Sequence, residues 1–252
     1  VLLLGGGADD ATLVLLASLL PDRAAPIEVL TTATAHEPVR TYAAYARALR
    51  ALGCPHVGHL LVDEHHLADA PHTLARLEKA ALVFITGGDQ ERLTEQLLGT
   101  EFLKILRRRH LHDAGFIVAG TSAGASALGA QMLVRGRGWR SLLAGGIEVL
   151  PGLGLLPTWL IDQHFIERDR YPRLLHAVLA YPHLLGLGLS EETGLLLRPG
   201  QAPEVFGDEV VLVVNGRQLR SNNLPAVADG KPVGGQGFEV SVLVAGDRLP
   251  EE

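Results

Sequence analysis

Gly120-Thr121-Ser122-Ala123-Gly124 follows the apolar run Phe116–Ala119 and precedes the small-residue run Ala125–Ala130. This is a G-x-S-x-G pattern between a predicted strand and a predicted helix. A serine on so sharp a turn needs small residues on both sides, because neighbouring backbones close in on it. The turn lifts Oγ to the carboxyl edge of a sheet and aims the Ala123 amide at an oxyanion, with the helix N-terminus expected to help. The competing reading is a glycine-rich turn with an incidental serine.

A nucleophilic serine needs a base within hydrogen-bond reach and a carboxylate to orient that base. The chain has 11 histidines. His164, in Asp162-Gln163-His164-Phe165, stands out because it ends the apolar run Trp159-Leu160-Ile161. Active sites of open α/β sheets gather at such strand ends. Asp162 and Gln163 read equally well as caps of the next helix. Downstream, Gly186-Leu187-Gly188-Leu189-Ser190-Glu191-Glu192-Thr193 sets two acids after another apolar run. Adjacent side chains leave an extended backbone on opposite faces, so one of the two could orient the imidazole. A solvated acidic turn is the alternative. The order Ser, His, Glu differs from the Ser, Asp/Glu, His order of α/β-hydrolases, which counts against a lipase or esterase fold. Arg168, Arg170 and Arg173 follow the histidine and could hold carboxylates in bidentate contacts, or pair with Glu167 and Asp169.

The elements that must position these residues alternate. Strands are predicted over Val1–Leu4, Ile27–Thr32, His56–Val62, Leu82–Thr86 and Phe116–Ala119. Between them lie helices up to Leu20, from Pro38 to about Leu52, and over Pro71–Ala80, Gln90–Leu97 and Glu101–His112, with Asp9 or Asp10 capping the first. Parallel neighbours require such crossovers, so the core is expected to be an α/β doubly wound, mostly parallel sheet with helices on both faces. After residue 184, short runs at Leu185–Leu189, Gly194–Leu197, Glu204–Phe206, Val210–Val214 and Val240–Val244 predict antiparallel strands toward the C-terminus. Gly230–Gly237 reads as a mobile loop, and residues 1–252 as one domain. Tyr171 and Tyr181 read as packing residues on the helix after His164.

The 252 residues carry 22 Lys and Arg against 28 Asp and Glu, a net charge of −6, without the basic surplus a duplex nucleic-acid binder needs. No apolar run is long enough to span a bilayer. Cys54 is the only cysteine, so neither an intrachain disulfide nor a cysteine-rich zinc site can form, and a cytoplasmic location is expected. Asp63-Glu64-His65-His66 reads as a polar loop rather than a metal site. Gly5-Gly6-Gly7-Ala8-Asp9 lacks the spacing of a dinucleotide fingerprint.

Together, Gly87-Gly88-Asp89-Gln90, the segment Gly120–Ala125, Asp162-Gln163-His164-Phe165 with its three arginines, and Gly186–Glu191 resemble the cyanophycinase family of serine peptidases. That family shares a clan with the α-aspartyl dipeptidases and has a glutamine-amidotransferase-like fold. The resemblance runs over Val1–Leu197, and Gly246–Arg248 also suits it. It implies Ser122 as nucleophile, His164 as general base and Glu191 as orienting acid, with the Gly88 and Ala123 amides as oxyanion hole. It places Gln90, Asp162, Gln163, Arg168, Arg170 and Arg173 around the substrate. Ser190 and Glu192 depart from the family pattern, which commonly has Asp before the acid. Glu191 is the choice by register and Glu192 the alternative. The implied substrate is cyanophycin, a poly-aspartate backbone bearing arginines on its β-carboxyls, released as β-Asp-Arg dipeptides, with no metal or cofactor and a homodimer expected. The rival readings are a dipeptidase for small α- or iso-aspartyl peptides and an inactive α/β ligand-binding protein.

Overall fold

The computed structural model describes residues 1–7 and 10–249. The chain packs as two compact units, the first holding residues 1–3 and 10–125 and the second residues 4–7 and 126–249. Of the two caps predicted for the first helix, Asp9 lies outside the described residues and Asp10 is the first helical residue.

In the first unit the elements run β1 (Leu2–Leu4), α1 (Asp10–Leu19), β2 (Ile27–Leu30), α2 (Pro38–Ala51), β3 (Val57–Leu60), α3 (Pro71–Lys79), β4 (Leu82–Ile85), α4 (Gln90–Leu97), α5 (Glu101–His112) and β5 (Ile117–Thr121). The strands lie in the order β1-β5-β4-β2-β3, with β2/β3, β2/β4 and β4/β5 parallel. Every residue of β2 and β4 is buried, as expected of strands covered on both faces. Crossovers of this kind are right-handed, so a reversal of direction along the sheet moves the helix to the other face. The chain steps one way through α1 and α2 and back through α3, α4 and α5. Accordingly α1 packs on α2, and α3 on α5. The reversal falls between β4 and β2, and open α/β sheets bind ligands beyond the carboxyl ends of the strands at such a point.

The second unit continues with β6 (Gly129–Arg135), β7 (Glu148–Pro151), β8 (Leu156–Asp162), α7 (Tyr171–Ala180), β9 (Leu185–Leu189), β10 (Thr193–Leu196), β11 (Glu204–Gly207), β12 (Val211–Asn215), β13 (Ser221–Asn222), β14 (Gly235–Gln236) and β15 (Glu239–Leu243). Its main sheet has the order β15-β12-β9-β8-β6-β7, parallel through β9, β8 and β6 and antiparallel at both ends. The pairs β10/β11 and β13/β14 are antiparallel hairpins. The α/β class with late antiparallel strands is therefore present, divided between two sheets.

Two local expectations change. The run after the serine is not a helix: α6 (Ala123–Ser126) is a single turn, and β6 begins at Gly129. The small residues serve close backbone approach instead. A Cβ on Gly129 would lie 2.7 Å from the Trp159 carbonyl oxygen, and one on Gly152 would lie 2.3 Å from that of Gly129. The glycine-rich loop at 230–237 is tied down: Gly230 N–H donates to Ala144 O (2.9 Å), Val233 N–H to Leu142 O (2.7 Å) and Ala144 N–H to Lys231 O (2.8 Å).

The core of this unit joins Leu133, Leu160, Phe165, Leu174, Val178 and Val214 beneath α7. Phe165 is fully buried, and its ring occupies the space a Cβ on Gly188 would need, 2.5 Å away. Phe165→Ala is therefore expected to lower the unfolding free energy by about 3–5 kcal/mol, and Gly188→Ala by about 1–3 kcal/mol through overpacking. Urea denaturation of both variants checks this, since a packed ring requires both losses.

Candidate active site

In the first unit, β5 delivers Ser122 into a left-handed conformation, φ 52°, which non-glycine residues adopt rarely and which is typical of functional turns. The glycines around it have no room for a side chain. A Cβ on Gly120 would lie 2.6 Å from the Gly124 backbone, one on Gly124 would lie 2.3 Å from Ile85 O, and one on Gly88, at φ 139°, would lie 2.1 Å from Ala33 O. The turn after β4 thus packs between the serine turn and the end of β2. Its position is held by Asp89 N–H donating to Ala33 O (2.7 Å) and by Thr34 Oγ1, which donates to Gly87 O (3.1 Å) and meets Thr86 Oγ1 (3.0 Å). A Cβ on Gly87 would stand 3.2 Å from that of Ser122. Among the described residues, neither the Gly88 nor the Ala123 N–H has an acceptor. Gln90 is buried at the start of α4, behind the Asp89 cap. The single turn of α6 is too short to lend the dipole expected from a longer helix.

In the second unit, β8 ends at Asp162, and the chain turns left-handed at His164, φ 46°. His164 N–H donates to Gly5 O (2.9 Å) and its Nδ1 lies 2.5 Å from Glu191 Oε1. With an acceptor-only carboxylate opposite, Nδ1 carries the proton and Nε2 is left unprotonated. Gly6 forms one wall of the ring's site, since a Cβ there would lie 2.3 Å from the imidazole Cε1. Glu192 does not reach the ring: it adopts φ 52°, is exposed, and donates its N–H to Gly6 O (2.8 Å). The Glu191 N–H donates to Glu167 Oε1 (3.1 Å). Burial is the main influence on the imidazole and pushes its pKa below the ordinary value. The Glu191 hydrogen bond opposes this, and Arg168 and Arg170 add to it through their positive charge.

Of the polar residues predicted around a substrate, Arg170 and Arg173 both bind Asp162. Asp162 is fully buried, with Arg173 Nε donating to Oδ2 (2.6 Å), Arg173 Nη2 to Oδ1, and Arg170 Nη1 to Oδ1 (3.0 Å). Arg170 also donates to Gln163 O (2.5 Å) and Gln163 Oε1. Desolvation pushes the Arg170 pKa down to about 10, a value that keeps it charged at neutral pH. The salt-bridge reading of these arginines is thus realised with Asp162 as partner in place of Glu167 and Asp169. The cluster fixes the backbone on which His164 rides. Arg168 is exposed and has no acidic partner among the described residues.

Two contributors were not singled out from sequence. Gly6 belongs to a glycine triplet whose sequence context raises only nucleotide binding, and Glu167 reads only as a partner for arginines. The triplet was the available signal for Gly6. Asp63, weighed with its neighbours as metal ligands, accepts from the His65 and His66 N–H groups (2.9 and 2.8 Å) in a local turn.

The chain matches the profile of peptidase family S51 over residues 1–205. It is 33% identical over 213 residues to a cyanophycinase of Trichormus variabilis, covering 84% of this chain and 71% of that protein. It is 34% identical over 203 residues to a cyanophycinase of Synechococcus elongatus, covering 81% and 63%. A crystal structure of a peptidase from an acI-B1 Actinobacterium has a similar fold, with TM-score 0.61, 21% identity, and coverage of 98% of this chain and 95% of that one. A putative peptidase E protein from Listeria monocytogenes gives TM-score 0.56 at 16% identity, covering 82% and 98%.

The charges around His164 set a titration with a defined sign. Its NMR midpoint is expected below the ordinary histidine value of about 6.5. Arg168→Ala, removing a cation, should raise the midpoint, and Glu191→Gln, removing the partner of the protonated ring, should lower it further. Equal midpoints in all three proteins would contradict this electrostatic description.

Proposed function

Because the chain belongs to peptidase family S51 and is a serine hydrolase, we propose that it hydrolyses aspartyl peptide bonds by a Ser122-His164-Glu191 triad, with residues 1–252 working as one peptidase domain. The single observation that carries the reading is the 2.5 Å contact of His164 Nδ1 with Glu191 Oε1, which leaves Nε2 as a neutral base. The left-handed Ser122 turn and the unpartnered Gly88 and Ala123 amides supply the other parts such chemistry needs. His164 Nε2 takes the Ser122 Oγ proton as Oγ bonds the scissile carbonyl carbon. The two amides hold the oxyanion that forms. Collapse breaks the C–N bond, and His164 passes its proton to the leaving amine. A water, deprotonated by His164, then attacks the acyl-enzyme and restores the Ser122 hydroxyl. Glu191 holds the tautomer and stabilises the imidazolium.

The substrate proposed is cyanophycin, cleaved to β-Asp-Arg dipeptides. Identity of 33–34% with two cyanophycinases supports this choice. Exposed Arg168 beside His164 is the group proposed to meet a substrate carboxylate, whereas buried Asp162, Gln163 and Arg173, with half-buried Arg170, are proposed to shape the pocket from behind.

Four measurements test the reading. A fluorophosphonate probe should label the wild type and not Ser122→Ala, and labelling that survives this change would remove Ser122 from the nucleophile's role. Glu191→Gln should cut kcat by about 10⁴-fold through the wrong tautomer, while Glu192→Gln stays near wild type. Release of β-Asp-Arg from cyanophycin should exceed cleavage of α-aspartyl dipeptides, and the reverse would move the substrate to short peptides. Because the neutral imidazole is the base, kcat/KM should rise with pH along an acid limb centred below the ordinary histidine value.

A further inference from the structure

The sequence Arg135-Gly136-Arg137-Gly138-Trp139-Arg140-Ser141 leads from β6 into a 3₁₀ turn, Gly138–Leu142, in the second unit. Trp139 is 67% exposed at the tip of this turn. The other tryptophan, Trp159, is 7% exposed. A large aromatic side chain held in water needs a reason, and a loosely attached turn is not the reason here. Ser141 is fully buried and its carbonyl accepts from buried His176 Nδ1 (2.6 Å). Leu142 O accepts from Val233 N–H, and a Cβ on Gly146 would lie 2.2 Å from Arg140 O. The turn is a fixed mount that displays the indole.

The charges around the ring are unusual for a chain of net charge −6. Arg135 is paired with Glu148 (3.1 Å), but exposed Arg137 and Arg140 have no acidic partner among the described residues. The Arg140 guanidinium carbon stands 6.0 Å from the Trp139 ring centre, the outer limit of a cation–π contact. The ring thus already faces one guanidinium while most of its surface stays open. The start of the mount touches the ion cluster that supports His164. A Cβ on Gly136 would lie 3.2 Å from Arg173 Cβ, and Arg173 grips Asp162, two residues before His164.

We propose that Trp139, Arg137 and Arg140 form a secondary binding site for the aspartyl polymer, engaging segments of the chain away from the scissile bond. This rests on the substrate reading above. The ligand chemistry follows from complementarity: guanidinium side chains of the polymer stack on the indole, and its free carboxylates meet Arg137 and Arg140. A repeating polymer presents both groups many times, so modest single contacts gain from multivalency. A bare polyanion would use the arginines and leave the indole without a cation.

Binding and hydrolysis are read separately. Ser122→Ala protein should co-sediment with insoluble cyanophycin, and adding Trp139→Ala or Arg137→Ala/Arg140→Ala should weaken retention by about fivefold or more. Trp139→Phe should keep part of it. In the active enzyme the same changes should raise KM for the polymer by a similar factor and leave kcat/KM on a short β-Asp-Arg oligomer within about twofold. Retention equal with and without Trp139 would overturn the site, as would no retention of the Ser122→Ala protein, or displacement by an RNA oligonucleotide with no affinity for the polymer. If Trp139-dependent sedimentation occurs but the wild type releases no dipeptide, the hydrolytic reading fails and the binding site stands.

Discussion

The 2.5 Å contact between His164 Nδ1 and Glu191 Oε1 is possible only where the two chain turns that carry these side chains are held in fixed positions, and much of the second unit is organised around that demand. A partly exposed side-chain contact of this kind contributes little to stability and costs side-chain freedom. It therefore needs a scaffold. On the imidazole side, the backbone is fixed by the Asp162–Arg173 pair beneath it and by Phe165 packed on Gly188. On the carboxylate side, Glu191 N–H is held by Glu167, and Glu192 N–H by Gly6. Gly6 contributes twice, by accepting that bond and by leaving room for the ring.

Backbone strain collects where the chemistry is proposed. Ser122, His164 and Glu192 all take positive φ without being glycine, as do Asp169 in the turn after His164 and, apart from these, Glu37 before α2. Such conformations persist only where surrounding contacts over-determine them. Around Ser122 those contacts are backbone against backbone, mediated by Gly88, Gly120 and Gly124. Around His164 they are hydrogen bonds to Gly5 and the buried ion cluster. The two turns reach similar geometry by different means: exclusion of side chains at one, and a network of charged side chains at the other.

The first unit was legible from sequence because its strands are buried on both faces and its helices carry clear start signals, such as Asp89 before Gln90 and Pro at the starts of α2 and α3. The region after Ser122 was not. Alanine and glycine there have good helix propensity or tight-turn chemistry on their own, and only the close approach of β6 and β8, a tertiary fact, makes them strand residues. The arginines after His164 were visible as a cluster, but their partner could not be read. A carboxylate eleven residues upstream is invisible to spacing rules when the intervening chain is a turn. Exposed Trp139 gave no sequence signal at all, since an indole is more often buried.

The wall that Gly6 makes has a consequence for motion. With bare peptide beside Cε1 and a carboxylate on Nδ1, rotation of the imidazole about its Cβ–Cγ bond breaks the Glu191 contact and carries the ring past Gly6, so it is slowed unless the segment around Gly6 yields. Ring flipping becomes a property of that segment rather than of the histidine. The ring is kept from exchanging its edges, so Nδ1 and Nε2 hold distinct surroundings.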